Sequence, residues 1–180
     1  MTETELIREC RKGNRSAFKE LYDLLSERMM LICRRYIGDS PYLKDVFQEA
    51  FVKIYKGLDK FQYKGEGSLT AWADKIMVTT SLKNLRKSGL KILAAEEIVD
   101  LPQEQEPEVT NIPEEKLLEF IGELPDGYRT VMNLYVFESK SHKEIGEMLG
   151  ISPMTSASQL SRARQLLIKK IKQYESENDG

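Results

Sequence analysis

Ser141-His-Lys-Glu-Ile-Gly-Glu-Met-Leu-Gly-Ile-Ser-Pro-Met-Thr-Ser-Ala-Ser-Gln-Leu-Ser-Arg-Ala-Arg-Gln165 decides the fold. Ser141, with Glu144 three residues on, forms a capping box in which each side chain takes the other's free backbone N–H. The helix it opens carries Ile145, Met148 and Leu149 and stops at Gly150, the residue type that tolerates the left-handed backbone of a helix end. Ser152-Pro153 then supplies an N-cap and a proline at the first helical position. A longer basic helix follows to about Tyr174. A short capped helix, a tight turn and a basic helix make a helix-turn-helix, whose second helix enters the DNA major groove. Leu149 and Ile151 are placed to lock the two helices together, and Leu160, Ala163 and Leu167 to give the second an inner face. Thr155, Ser158, Gln159 and Arg162 would then point outward near its start, where base edges are met. Arg164, Lys169, Lys170 and Lys172 suit phosphates. A surface helical hairpin with a solvated polar face shares this spacing.

Working back along the chain, the second body starts near Pro113, and Pro125 sits at a helix start ahead of Val131, Met132, Leu134, Tyr135 and Phe137. Residues 89–113 change character: Pro102, Pro107 and Pro113 with intervening Gln and Glu suit an extended, solvated linker. Before it, helical spacing returns. Phe18, Leu21, Tyr22, Leu25, Met29, Ile32 and Tyr36 form one stripe, closed by Gly38. Ser40-Pro41 reads as a second start, with Val46, Phe47, Ala50, Phe51, Ile54, Tyr55 and Leu58 behind it. A loop from Phe61 to Gly67 follows, and Ser68 reads as the cap of a helix carrying Leu69, Trp72 and Ile76 to about Lys87. No stretch alternates as a strand would. The expected fold is all-α: two small helical domains, 1–88 and 114–180, joined by the acidic linker 89–113, the second containing the helix-turn-helix.

The charges fall in the same three blocks. The net charge of the 180 residues is -2, but residues 1–92 hold 18 Lys/Arg against 12 Asp/Glu, residues 93–115 hold no basic and 8 acidic residues, and residues 139–173 hold 7 basic against 2 acidic. Two cationic bodies flank an anionic strap, and a nucleic-acid footprint is read from such local patches rather than from the sum. Cys10 and Cys33 match no metal or redox spacing and read as free thiols of a reducing compartment. No apolar run approaches a membrane span, and the charged start Met1–Lys12 lacks a signal core. The expectation is a cytoplasmic chain with no membrane insertion. The single histidine, His142, sits at a helix N-terminus and reads as a surface residue rather than a base, and no nucleophile–base pair, phosphate loop or metal spacing is present; no enzymatic activity, cofactor or metal is expected.

Leu124-Pro-Asp-Gly-Tyr-Arg-Thr-Val-Met-Asn-Leu-Tyr135, Ser141–Gly150 and Ser158-Gln-Leu-Ser-Arg-Ala-Arg164 together resemble the −35 reading domain of extracytoplasmic function (ECF) sigma factors, subunits of bacterial RNA polymerase. Asp45-Val-Phe-Gln-Glu-Ala-Phe51 resembles the family's polymerase-binding helix. Trp72, Ile76 and Leu85-Arg-Lys87 resemble its −10 element helix. The resemblance covers about Ser16–Lys87 and Leu124–Ile171. It implies promoter-directed transcription initiation by a protein that binds core RNA polymerase through the clamp helices of the largest subunit and the flap of the second largest. It implies polymerase contacts at Asp45, Gln48, Glu49 and Phe51. It implies −10 contacts at Phe61, Tyr63, Lys64, Trp72, Lys75, Thr79, Lys83, Arg86 and Lys87, and −35 contacts at Thr155, Ser156, Ser158, Gln159, Arg162 and Arg164. An anti-sigma factor is a further partner the resemblance suggests, though no residue identifies one.

Each assignment has a plainer rival. Asp45 and Glu49 could be a solvated acidic face, and Trp72 and Phe61 core anchors. The chain also departs from the family at positions expected to face DNA. Ala73 and Asp74 follow Trp72 where a large apolar and then an aromatic or basic residue are usual. Thr79 stands where Asn is usual, and Met154 and Ala157 replace Gly and Lys. Two readings stay open from sequence: altered promoter preference, or a degenerate member that binds polymerase and initiates poorly. A helix-turn-helix repressor would account for the second body but not for Asp45–Phe51.

Overall fold

The computed structural model describes residues 1–90 and 112–178, and every regular element among them is helical. The expected linker, with Pro102 and Pro107, lies almost wholly outside the described residues. The chain divides into two compact units, Met1–Lys87 and Ser88–Gly180.

In the first unit, α1 (Glu3–Arg11) starts on a capping box between Thr2 and Glu5. It buries Leu6, Ile7 and Cys10, a helix of nine residues too short for its pattern to stand out in the sequence. α2 (Arg15–Ile37) is capped by Asn14 and closed by Gly38 at φ 67°. α3 (Leu43–Gly57) begins later than expected. The Ser40 hydroxyl accepts from the Tyr42 N–H at 3.2 Å, so it closes a tight turn ahead of the helix instead of capping it, a local bond at which serine competes with helix. α3 runs into a single 3-10 turn, Leu58–Lys60, and α4 (Ser68–Lys87) follows the loop. α2 packs on both α3 and α4, α3 on α4, and α1 on α2 and the 3-10 turn. Leu25, Met29, Tyr36, Ile54, Leu69 and Met77 are fully buried at their meeting; burial of side chains of this size contributes roughly 1.5–3 kcal/mol each.

In the second unit, α5 (Glu114–Gly122) and α6 (Asp126–Met132) are joined through Pro125. Arg129, 4% exposed, fastens the joint by donating to the carbonyls of Gly122 (2.8 Å) and Leu124 (2.9 Å) and pairing with Asp126. α6 widens into a π-helical turn, Asn133–Phe137. α7 (His142–Leu149) has the Ser141–Glu144 capping box and ends at Gly150 with φ 70°. α8 (Pro153–Asn178) packs on α6, α7 and α5. Leu134, Val131 and Ile145 are fully buried, with Leu160 and Ala163 of α8 beside them in the core. No helix among the described residues is long and apolar enough to cross a membrane.

Candidate polymerase-docking and promoter-binding surfaces

α3 carries the acidic residues Asp45 and Glu49 one turn apart. Asp45 and Gln48 are exposed. Glu49, half-buried, is engaged inside the unit: it accepts from Asn84 Nδ2 of α4 at 3.0 Å and pairs with Lys53 at 2.9 Å. Lys53 in turn donates to the buried Thr80 hydroxyl at 3.0 Å. The Asn84 hydrogen bond first, then Lys53, holds the Glu49 carboxyl below its usual range. The sequence shows Asp45 and Glu49 one turn apart on one helix, but not that the second is tied to α4. Phe51 is half-buried in an aromatic cluster with Tyr22 (4.7 Å between centroids) and Phe47 (4.9 Å), next to the Phe18–Tyr55 pair (4.5 Å). Such tilted pairs each add about 0.5–1.5 kcal/mol beyond burial.

α4 presents a basic stripe. Lys75, Thr79, Lys83 and Arg86 are exposed, with exposed Lys87 beside them. Their spacing puts the first four on one helix face. The Thr79 hydroxyl donates to the Lys75 carbonyl at 2.8 Å, within its own helix. Asp74 does not join this stripe. It faces α2, where Arg28 pairs with it at 2.7 Å and leaves its side chain 16% exposed. The carboxylate that the sequence puts among phosphate-facing residues is therefore turned away and neutralised by a cation 46 positions earlier.

The loop before α4 has a firm root and an open tip. Phe61 is buried, and its ring lies 4.8 Å from that of Trp72. Trp72 also lies over Gly57 so closely that a Cβ there would stand 3.0 Å from the indole Cζ2. Both rings thus fit the core-anchor reading in the free chain. Tyr63 and Lys64 are exposed, and Gly65 and Gly67 have φ of 119° and 80°, values that favour glycine. Ser68 is the first residue of α4, and its hydroxyl accepts from the Lys64 N–H at 3.1 Å. It ties the loop to the helix rather than capping the helix.

In the second unit the turn between α7 and α8 depends on a residue that carries no signal in the sequence. Gly146 offers its carbonyl to the N–H of Gly150 (2.8 Å) and of Ile151 (3.0 Å), and a Cβ on Gly146 would lie 2.6 Å from the Ile151 carbonyl oxygen. His142, half-buried, stacks on Tyr135 at 4.7 Å, and its Nδ1 lies 2.9 Å from the buried Ser156 hydroxyl. It joins the π-helical turn, α7 and α8. The outward orientation expected at the start of α8 is not what is found. Thr155, Ser156, Gln159 and Arg162 are buried, Ser158 is half-buried and Arg164 exposed. The covered arc of α8 runs well beyond the Leu160–Ala163–Leu167 stripe, because an apolar pattern marks the centre of a packed face and not its width. Among the described residues no group of three or more His, Cys, Asp or Glu could hold a metal ion. Cys33 is buried, which pushes its thiol up to about 12, far from the thiolate form that reactivity needs.

A bundle with an open basic stripe and a helix-turn-helix unit have the build of a DNA-binding protein, and comparison with known proteins specifies the class. Residues 21–90 match the family model of sigma-70 region 2, and residues 114–167 that of sigma-70 region 4. The ECF RNA polymerase sigma factor SigW of Bacillus subtilis is 27% identical, covering 92% of this chain and 95% of that one. The ECF RNA polymerase sigma-E factor of Escherichia coli K12 is also 27% identical, over 95% of each chain. A solved structure of CnrH in complex with the cytosolic domain of CnrY covers 93% of this chain and 95% of that chain at 20% identity, with a TM-score of 0.46. The chain belongs to the sigma-70 family, in its extracytoplasmic function group. It acts with core RNA polymerase in promoter-directed transcription initiation.

Proposed function

We propose that the two units divide the work of initiation. The first, assigned to residues 1–88, docks on the clamp helices of the largest polymerase subunit through Asp45, Gln48, Glu49 and the edge of Phe51, and engages the −10 element. The second, 114–180, engages the −35 element and the flap of the second largest subunit. Residues 89–113 connect them. The chain needs no chemistry or cofactor of its own for this and works in the cytoplasm, where an anti-sigma factor is the regulator that family membership leads one to expect.

The exposed stripe of α4 carries the reading. Lys75, Lys83, Arg86 and Lys87 are placed for phosphates, which supply affinity and register. At the head of the same helix, Tyr63 and Lys64 stand out from the loop. A base pulled from the duplex loses a few kcal/mol of stacking, and stacking on an aromatic ring returns about 1–3 kcal/mol. Tyr63 is free to do this as it stands. Phe61 and Trp72 would first have to part, or would serve as the wall behind the captured base. Thr79, within the stripe, has a hydroxyl where the family has an amide, which changes the hydrogen bonds it can offer a base.

In the second unit, Arg164 and the half-buried Ser158 are available to DNA beside exposed Met154, Ala157 and Ser161, while Thr155, Ser156, Gln159 and Arg162 pack within the unit and support that face from behind. The Arg28–Asp74 pair favours an active sigma factor over a degenerate one, because it removes the repulsion that Asp74 would exert on phosphates. Run-off transcription with core polymerase on genomic DNA tests this. The unchanged chain is expected to give discrete start sites, and the Thr79→Asn, Ala157→Lys version to shift which promoters are used. Start sites from the substituted version alone would reject the active reading.

A further inference from the structure

We propose that Arg11 of α1 is a positioning residue for promoter opening, holding the root of the loop that presents Tyr63 and Lys64; the inference rests on the −10 role proposed above. Its guanidinium spans two carbonyls: Nε donates to Leu58 O at 3.2 Å and Nη2 to Phe61 O at 2.5 Å. These oxygens are the first carbonyl of the 3-10 turn and the carbonyl of the residue that ends it. At Phe61 the chain leaves helical geometry for φ −64°, ψ 132°, so its carbonyl has left the helical ladder. An arginine fork fits this task because it is planar and always charged, and presents several donors in fixed directions.

The same residue is fixed from its other side, since the Phe61 ring packs on Trp72. With the ring anchored to α4 and the carbonyl to α1, the backbone enters Gln62–Gly67 in one direction. At the far end Ser68 ties back the Lys64 N–H, and the Ser68 N–H reaches the Gly65 carbonyl at 3.1 Å. Gly65 and Gly67 give the tip conformational freedom, so the orientation of Tyr63 is set by these anchors and not by the tip. α1 itself is seated by buried Leu6, Ile7 and Cys10 against α2. Arg11 precedes the residues matched by the region 2 model, 21–90, and so lies outside the segment to which a −10 role would ordinarily be assigned. Preorganising a capture site lowers the ordering that must accompany binding, and strand opening is the step at which that difference is felt.

The test uses the full chain with core polymerase on a promoter carrying 2-aminopurine in its −10 element, comparing unchanged protein with Arg11→Met and Arg11→Lys. Arg11→Met keeps the apolar stem and removes both hydrogen bonds; Arg11→Lys keeps the charge but cannot span both carbonyls. Both are expected to slow the fluorescence rise at saturating polymerase, by about tenfold for Met and less for Lys, with affinity for core polymerase unchanged. A template already unpaired across the −10 element should bring both within about twofold of the unchanged protein. Circular dichroism and melting of the free chain separate this from misfolding. Equal opening rates for all three proteins overturn the inference, as does a defect in Arg11→Met that persists on the unpaired template. Failure of the unchanged chain to open any promoter would instead reject the −10 role itself.

Discussion

The two helices proposed to meet DNA, α4 and α8, are built in opposite ways. On α4 Lys75, Lys83, Arg86 and Lys87 are exposed, and behind them Asp74 pairs with Arg28 and Thr80 with Lys53. On α8 the polar residues nearest the turn are themselves covered, Ser156 and Gln159 completely. The first surface needs little rearrangement to receive a phosphate backbone. The second commits those side chains to the packing of its own unit and leaves Met154, Ala157, Ser161 and Arg164 as its exposed face. The free chain is therefore expected to bind −10 DNA with a steep salt dependence, through the cations of α4, and −35 DNA with a shallower one, since Arg164 is the exposed cation near the start of α8.

The hardest blow to this contrast falls on the turn that positions α8. Gly146→Ala drives a Cβ against the Ile151 carbonyl, and backbone cannot yield as a side chain tip does. Overpacking of this kind costs about 1–3 kcal/mol. Thermal unfolding of the second unit should shift down accordingly, with −35 binding lost and −10 binding kept. A variant that melts like the unchanged chain would show the turn to be looser than described.

A middle-sized effect tests α4. If Lys75 and Arg86 each neutralise one phosphate, Lys75→Ala with Arg86→Ala should weaken binding to all sequences alike. The double change should flatten the dependence of log affinity on log salt by about 0.7–0.9 for each phosphate left without its cation. An unchanged slope would remove Lys75 and Arg86 from the footprint.

The next effect is smaller and favourable. Ser139 is the only non-glycine residue with positive φ, 51°, among the described residues. Ser139→Gly relieves a strained backbone before α7 and should raise stability by roughly 0.5–1 kcal/mol, reduced by the added freedom of the unfolded chain. Differential scanning calorimetry checks it.

The smallest is the acid response of the first unit. Glu49 is held below its ordinary 4.5 by Asn84 and Lys53. The link between α3 and α4 therefore contributes fully at neutral pH and down to about that value, and it is lost as pH falls further, through the lowered value. Glu49→Gln should shrink the loss of stability that sets in as the pH drops below that ordinary value. Because the pair is partly solvent-screened, the change is small. An identical acid profile in the variant, followed by thermal melting, would mean that the link contributes nothing.

Much of the architecture was legible in the residues alone. Capping boxes, prolines at helix starts and glycines at helix ends act over three or four positions, so Ser141–Glu144, Pro125 and Gly150 marked the second unit's helices without any tertiary information. The apolar stripes likewise marked the bundle of the first unit. Ser40 and Ser68 misled because a hydroxyl can bond a loop amide as well as a helix end, and only the surrounding geometry selects between the two.

What tertiary structure decided is everything that joins distant positions. Asp74 looked like a liability until Arg28 appeared beside it. Glu49 looked free until Asn84 reached it. Arg11 carried no signal before α1 met the turn at Leu58, and Gly146 none before Ile151 folded back on it. The width of the covered face of α8 was equally invisible. A sequence sets the period of a helix and the chemistry of its ends, because those depend on neighbours along the chain. Partners dozens of residues away, and how far a packed face extends, depend on the positions of whole helices, which no local pattern encodes.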